Sequence, residues 1–325
     1  MIKITTILNV IAVFLFQAVS IFGQSTPASA ESNNFISKFC NITESSSWEL
    51  TGTIKLNFRT YHPQGMVKIS KFYYLSSVEK ITSPEKYKNL QNGHDRSTGK
   101  GIGHLFKFNE KGELISKISL GDSIIHHPGG IDFDGKFIWA PVAEYRPNSR
   151  SLVYRINPTT LECEPVFRFN DHIGAVSCDK KNNRLVGVSW GSRRFYFWEL
   201  DYNSDFNSFN EKNENKIPNY KMKLNGNFYI DYQDCHYAGS NCILCGGLND
   251  YSIIKGKGSF ALGGLDLIDL TSFVPIHQIP ITMCAQSGAV MTRNPFYFEI
   301  GKDQLRFYFI PEDNESNMYI YKILN

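Results

Sequence analysis

A short opening recurs along this chain, and repetition at a period of tens of residues marks architectures built from stacked units. The openings are His62-Pro63-Gln64-Gly65-Met66, His127-Pro128-Gly129-Gly130-Ile131-Asp132, His172-Ile173-Gly174-Ala175-Val176, Gln233-Asp234-Cys235-His236-Tyr237 and Gln286-Ser287-Gly288-Ala289-Val290. They follow one another at roughly 45–65 residues, and each interval holds about four strand-sized runs. After His127 these runs are 130–133, 137–142, 151–156 and 165–169, divided by Asp134-Gly135, Pro147-Asn148 and Asn157-Pro158, which is turn chemistry. A content of 17 Tyr and 24 Phe favours strands over helices.

Four antiparallel strands per unit, repeated around an axis, predict an all-β fold, a five-bladed β-propeller. Six blades are the alternative, with residues 220–228 or 82–104 as a further unit. The last unit has only three runs, 296–300, 305–310 and 318–323. A strand at 48–58 is expected to supply the fourth and close the ring, which removes an open sheet edge. The segments 83–103 and 202–219, rich in Lys, Asn and Gly or in Asn, Ser and charge, read as solvated loops within blades. Gly101-x-Gly103 is too short for a phosphate fingerprint and reads as turn glycine.

The N-terminus reads as a secretory signal peptide, residues 1–30, with Lys3, an apolar run and the small-residue end Ala28-Ser29-Ala30. An uncleaved anchor is the alternative. Residues 31–47 are expected as a linker and 48–325 as a single propeller domain. The expected location is secreted or periplasmic, with no membrane span after cleavage and a monomeric state. Net charge is +3 with no basic run, so nucleic acid is set aside as a partner.

Seven cysteines in 325 residues are not a disulfide scaffold, and their odd number leaves at least one thiol unpaired within the chain. Cys235-His236 with Cys242-x-x-Cys245 imitates zinc-ligand spacing. Residues 241–246 read as a strand, however, and positions three apart on a strand face opposite ways. Buried small side chains or a disulfide are the expectation there.

Two stretches carry a family pattern. They are His127-Pro128-Gly129-Gly130-Ile131-Asp132-Phe133-Asp134-Gly135-Lys136-Phe137-Ile138-Trp139-Ala140-Pro141-Val142-Ala143-Glu144-Tyr145-Arg146-Pro147, and Asp171-His172-Ile173-Gly174-Ala175-Val176 with Val188-Ser189-Trp190-Gly191-Ser192-Arg193-Arg194-Phe195. From residue 48 onward the chain resembles an uncharacterised family of exported, mostly bacterial β-propeller-like proteins. That family is similar to propeller-type lactonases in architecture alone. The resemblance implies the fold and export and brings no assigned reaction.

In a propeller the innermost strand of each blade lines the axis. The openings place His62, His127, His172, Gln233 and Gln286 there, with Gly65, Gly129, Gly130, Gly174 and Gly288 letting strands crowd together. Three imidazoles and two amides can bind a divalent metal (His62, His127 and His172 as ligands), contact a polar ligand directly, or line a structural channel. His236 is a further ligand-binding candidate. A second ring is expected from loops carrying Glu144, Tyr145, Arg146, Trp190, Arg193, Arg194, Asn249 and Asp250. Arg146 and Arg193 would grip an anion and Trp190 would wall a ring-shaped ligand, unless these groups form salt bridges between blades, such as Glu144 with Arg193. Asp134 reads as hairpin chemistry.

No serine elbow, helical His-Glu-x-x-His or Walker loop occurs. A glycosidase reading on Asp132, Glu144 and Asp234 is disfavoured by the His and Gln expected on the axis. The leading expectation is an exported propeller binding a small polar ligand in an axial pocket. A metal-assisted hydrolase or lyase using the axial histidines is the first alternative, and a protein–protein scaffold the second.

Overall fold

The strand-sized runs pair into five small antiparallel sheets set in a ring, so the expected five-bladed β-propeller is formed. The computed structural model describes residues 28–200, 217–227, 229–251, 260–301 and 304–324. The expected leader, residues 1–30, therefore lies almost wholly outside the described residues, as does most of 202–219.

Strand β1 (Ser47–Lys55) is followed by the first blade, β2 (His62–Ile69), β3 (Phe72–Thr82), β6 (Lys100–Asn109) and β7 (Leu114–Leu120), with β4 (Lys86–Gln91) and β5 (His94–Arg96) between its second and third strands. The second blade comprises β8 (Ile125–Pro128), β9 (Asp132–Phe133), β10 (Ile138–Glu144), β11 (Ser151–Ile156) and β12 (Cys163–Phe169). The third holds β13 (Ile173–Asp179), β14 (Arg184–Ser189), β15 (Arg194–Glu199) and β16 (Tyr220–Leu224). The fourth holds β17 (Asp231–Gly239), β18 (Cys242–Tyr251), β19 (Phe260–Asp269) and β20 (Val274–Ile281). The fifth runs β21 (Phe296–Ile300), β22 (Leu305–Phe309) and β23 (Asn317–Leu324), with β1 as its outer strand.

The ring closes as expected. Trp48 pairs with Ile323 and Ile54 with Met318 in antiparallel register, so the two ends of the domain share one sheet. Residues 220–224 are the outer strand of the third blade and 86–96 an insertion in the first, so neither is a sixth blade.

Four expectations need correction. Residues 31–47 are not a linker, because α1 (Ala28–Cys40) is a helix whose Phe35 and Phe39, with Ile42 just beyond, are fully buried. They pack with Leu244, Leu265, Phe296 and Phe307, seating the helix on the fourth and fifth blades. The 83–103 segment is not a loop throughout. Its 86–96 part is a hairpin, turned at Asn92-Gly93 with φ of 49° and 80°, the left-handed pair that such a two-residue turn requires. Gly101 and Gly103 are strand residues of β6. A side chain at Gly101 would strike His126, and one at Gly103 would strike Pro128. Finally, the fifth opening is not an inner strand: Gln286 is exposed in a turn and Gly288 faces open space, while β21 takes the inner place.

The glycine collar is otherwise as expected. A Cβ on Gly65 would lie 2.4 Å from the Ile131 amide nitrogen, and one on Gly129 would lie 2.1 Å from the Gly174 carbonyl. Gly130 donates to Gly174 O (2.8 Å) and accepts from Val176 N (3.1 Å), so the inner strands of blades two and three bond to each other. The axis is pinched shut at this level.

Candidate functional site

On one side of the collar lies a cavity of about 230 Å³. It sits where the inner strands begin: His62 opens β2, His127 lies in β8, His172 immediately precedes β13, and Asp231 opens β17. Of the residues expected at the site, His62, His127, His172, Gln233 and Trp190 line it, joined by Tyr145.

The three imidazoles are placed differently. His62 Nδ1 meets Asp313 Oδ1 at 2.9 Å. Burial would raise the Asp313 pKa, but His62, Asn294 and Arg293 outweigh it and hold the carboxyl at about 2. His172 Nδ1 is 2.8 Å from the Glu144 carbonyl. A carbonyl only accepts, so the proton sits on Nδ1 and Nε2 is left as a lone-pair acceptor. Burial lowers the His172 pKa to about 4, so the ring is neutral at pH 7. His127 is 5% exposed, and neither of its ring nitrogens has a hydrogen-bond partner among the described residues. Its ring stacks on Tyr145 at 4.1 Å. Burial first, then the neighbouring His172, His62 and Lys80, pushes its pKa well below the usual histidine range.

The three rings stand close together around the cavity. Neighbouring centroids lie 6.4 Å apart for His62 and His127 and 5.8 Å apart for His127 and His172. The His62 and His172 Nδ1 atoms are turned to Asp313 and Glu144, and no group of three His, Cys, Asp or Glu among the described residues is arranged to hold a metal ion.

The amides are oriented as well. Gln64 Nε2 donates to Pro63 O (2.8 Å) and Gln233 Nε2 to Asp231 O (3.4 Å). Because both partners are carbonyls, the amide nitrogens face them, which leaves each Oε1 as an acceptor and one N–H of each amide as a donor. Gln64, within the first opening, also lines the cavity but was not among the residues expected there. Gln64 sits at a bulge between Pro63 and Gly65, where the alternation of the strand breaks, so spacing alone did not mark it.

The expected second ring is broken into local pairs. Arg146 Nε binds Glu144 Oε2 (2.7 Å), and Arg150 Nε binds Glu144 Oε1 (2.6 Å). Arg193 reaches Asp231 Oδ1 of the next blade at 2.9 Å. Salt bridging between blades is thus present, with Asp231 rather than Glu144 as the partner of Arg193. Glu144, Arg146 and Arg193 are not among the described lining residues of the cavity. Trp190 is, in a turn that bends at Gly191 with φ of 59°. Arg96, from the inserted hairpin, lies over the Trp190 ring at 5.5 Å and is held by Asp95 at 2.8 Å. Lys80 Nζ lies 5.6 Å from the centre of the Tyr145 ring, with no carboxylate at ion-pair distance among the described residues.

His236 belongs elsewhere. It is buried on the far side of the collar, its Nε2 donating to Phe296 O (2.8 Å), with Asp132 Oδ1 at 3.4 Å and Asp234 Oδ2 at 3.5 Å. Burial alone would lower its pKa, but the Asp234 and Asp132 carboxylates outweigh it and lift the imidazole to about 10. Burial lifts Asp234 to about 6 against the pull of His236. Asp234 accepts from Met66 N (2.9 Å) in the first blade, and Asp132 from Cys178 N (2.8 Å) in the third and Tyr237 N (3.1 Å) in the fourth. This cluster ties inner strands together. Cys235, directly opposite Cys245 on β18, forms a disulfide with it, which settles the zinc-like spacing as structural.

Among solved structures, the chain is similar to the tail fiber of Staphylococcus aureus phage P68, with 12% identity, a TM-score of 0.46, and coverage of 90% of this chain and 56% of that one. It spans little more than half of that tail fiber. It is also similar to a luciferin-regenerating enzyme, with 9% identity, a TM-score of 0.46, and coverage of 86% and 96%. No curated protein matches the sequence. Residues 21–324 match a family of unknown function, DUF6454, and the chain belongs to that family.

Proposed function

We propose that this protein is an exported propeller that binds a small polar ligand in its axial cavity. The observation that carries this reading is His127, a buried imidazole that lines the cavity and whose two nitrogens have no hydrogen-bond partner among the described residues. An unsatisfied buried polar group costs about 1–3 kcal/mol, a cost that a hydrogen-bonding ligand removes. His172 Nε2 and the Gln64 and Gln233 carbonyl oxygens surround the same space. Export is supported by the apolar N-terminal run and by the Cys235–Cys245 disulfide, since such bonds persist in oxidising compartments. No specific observation favours the scaffold reading.

A thermal-shift screen of sugars, organic acids and phosphates tests the binding reading. A ligand at about 100 times its Kd adds about 2.7 kcal/mol, enough to raise Tm by several degrees. The expected result is a shift in the native protein that is lost in His127→Phe, a variant that keeps the stack on Tyr145. A screen in which nothing shifts, or in which shifts persist in the variant, counts against the axial site.

A further inference from the structure

Two cysteines outside the Cys235–Cys245 disulfide meet where the N-terminal helix is seated on the ring. Cys40 is the last residue of α1 and is exposed, whereas Cys242 opens β18 and is buried. The helix lies against β17, and Gly239 of β17 stands directly opposite Cys242, adding no side chain beside the thiol. Phe39, just before Cys40, and Ile42, just after it, are fully buried in the core cluster that also holds Ala238, Cys242 and Leu244. Asn41 N donates to Lys38 O (3.3 Å) and Ile42 N to Phe39 O (3.0 Å), which turns the chain tightly around Cys40. Ile42 O then accepts from His277 Nε2 on β20 at 2.8 Å, fixing this end of the helix over the fourth blade. Burial, then the nearby Asp269 carboxylate and the Cys40 sulfur, push the Cys242 thiol up to about 11.

We propose that Cys40 and Cys242 form a second disulfide that rivets α1 to the fourth blade. This goes beyond the binding reading above and does not depend on it. A disulfide needs Cα atoms about 4.4–6.8 Å apart, and the last residue of a helix, where the turn frays, adjusts to that at little cost. The oxidant is itself a disulfide, small or protein-borne. The Cys40 thiol, the exposed partner, loses its proton, and its thiolate attacks one sulfur of the oxidant, releasing one thiol and leaving a mixed disulfide. The Cys242 thiolate then attacks the Cys40 sulfur and displaces the second thiol. Two protein thiols become one disulfide while one disulfide becomes two thiols, so electrons and protons balance. Burial raises both thiols, so the exchange speeds up as pH rises. The loop so closed spans most of the domain, and a long loop restricts the unfolded chain strongly.

The test is oxidation of the full chain with oxidised glutathione at mildly alkaline pH, then alkylation and mass spectrometry of a tryptic digest made without reduction. The expected result is a peptide containing Cys40 cross-linked to the one containing Cys242, with a Tm raised by several degrees. The second peptide also carries Cys235 and Cys245, so a variant identifies the sulfur. In Cys242→Ala the cross-link is expected to vanish and Cys40 to carry glutathione instead; in Cys40→Ser both the cross-link and the gain in Tm should vanish. Cys40 recovered from the native protein only as an alkylated thiol or a glutathione adduct overturns the pairing. A cross-link that persists in Cys242→Ala does so as well, and a cross-link that leaves Tm unchanged overturns the riveting.

Discussion

Two histidines on opposite sides of the glycine collar show how environment divides one residue type into two roles. His127 has no carboxylate bonded to it and is kept neutral by burial. His236, equally buried, stands between Asp132 and Asp234 and stays charged. The second case has a consequence for stability. An imidazole near 6.5 in the unfolded chain and near 10 in the folded one binds more protons when folded across that interval. Its stabilising contribution is therefore complete below about pH 6.5 and is lost as pH rises towards 10. Urea unfolding of the native protein between pH 6.5 and 9.5 should show a falling midpoint, with a much flatter profile in His236→Asn. That variant should also be weaker at pH 6.5 by about 3–5 kcal/mol, because it leaves two buried carboxylates without their cation. Parallel pH profiles in the two proteins would contradict the pairing.

At the scale of elements, strands were legible and the exceptions had readable causes. The four-strand units stood out because their turn residues, such as Asp134-Gly135 and Asn157, recur between apolar runs. The hairpin at 86–96 was hidden by a polar composition that resembles a loop, although Asn92-Gly93 carried the strongest short-range turn signal in the segment. The helix α1 was hidden by its position after an apolar leader and by its few apolar residues. Phe35, Phe39 and Ile42, spaced by four and three, did mark a single buried face. That face is integral to the fold. Phe39→Ala should cost about 3–5 kcal/mol in equilibrium unfolding, and a loss below about 1 kcal/mol would show that the helix is dispensable. The cavity was half legible. His62, His127, His172 and Gln233 follow from the openings and Tyr145 and Trp190 from the expected ring of loops, whereas Gln64, Asp231 and Tyr232 were not selected. Lys80, near the end of β3, and Arg96, from the inserted hairpin, reach the aromatic walls of the site, and that placement is set by tertiary packing alone.

The whole molecule is a ring held at both its rim and its centre. Pairing of β1 with β23 leaves no end free at the seam, so removing residues 28–56 would expose β23 as an edge and remove the helix face as well. Such a truncation should form higher oligomers in size-exclusion chromatography; a well-behaved monomer of unchanged stability would contradict the closure. At the centre, Gly65, Gly129 and Gly130 bring inner strands close enough to seal the axis, which makes the space around His127 a closed-bottomed cavity instead of a through-channel. In the proposed function this cavity receives a ligand hydrogen-bonded to His127. A high-resolution crystal structure of the protein soaked with the best ligand from the thermal-shift screen decides it. The predicted result is ligand density with polar atoms about 2.7–3.2 Å from a His127 ring nitrogen and from His172 Nε2; ligand bound elsewhere, with only water in the cavity, would contradict it.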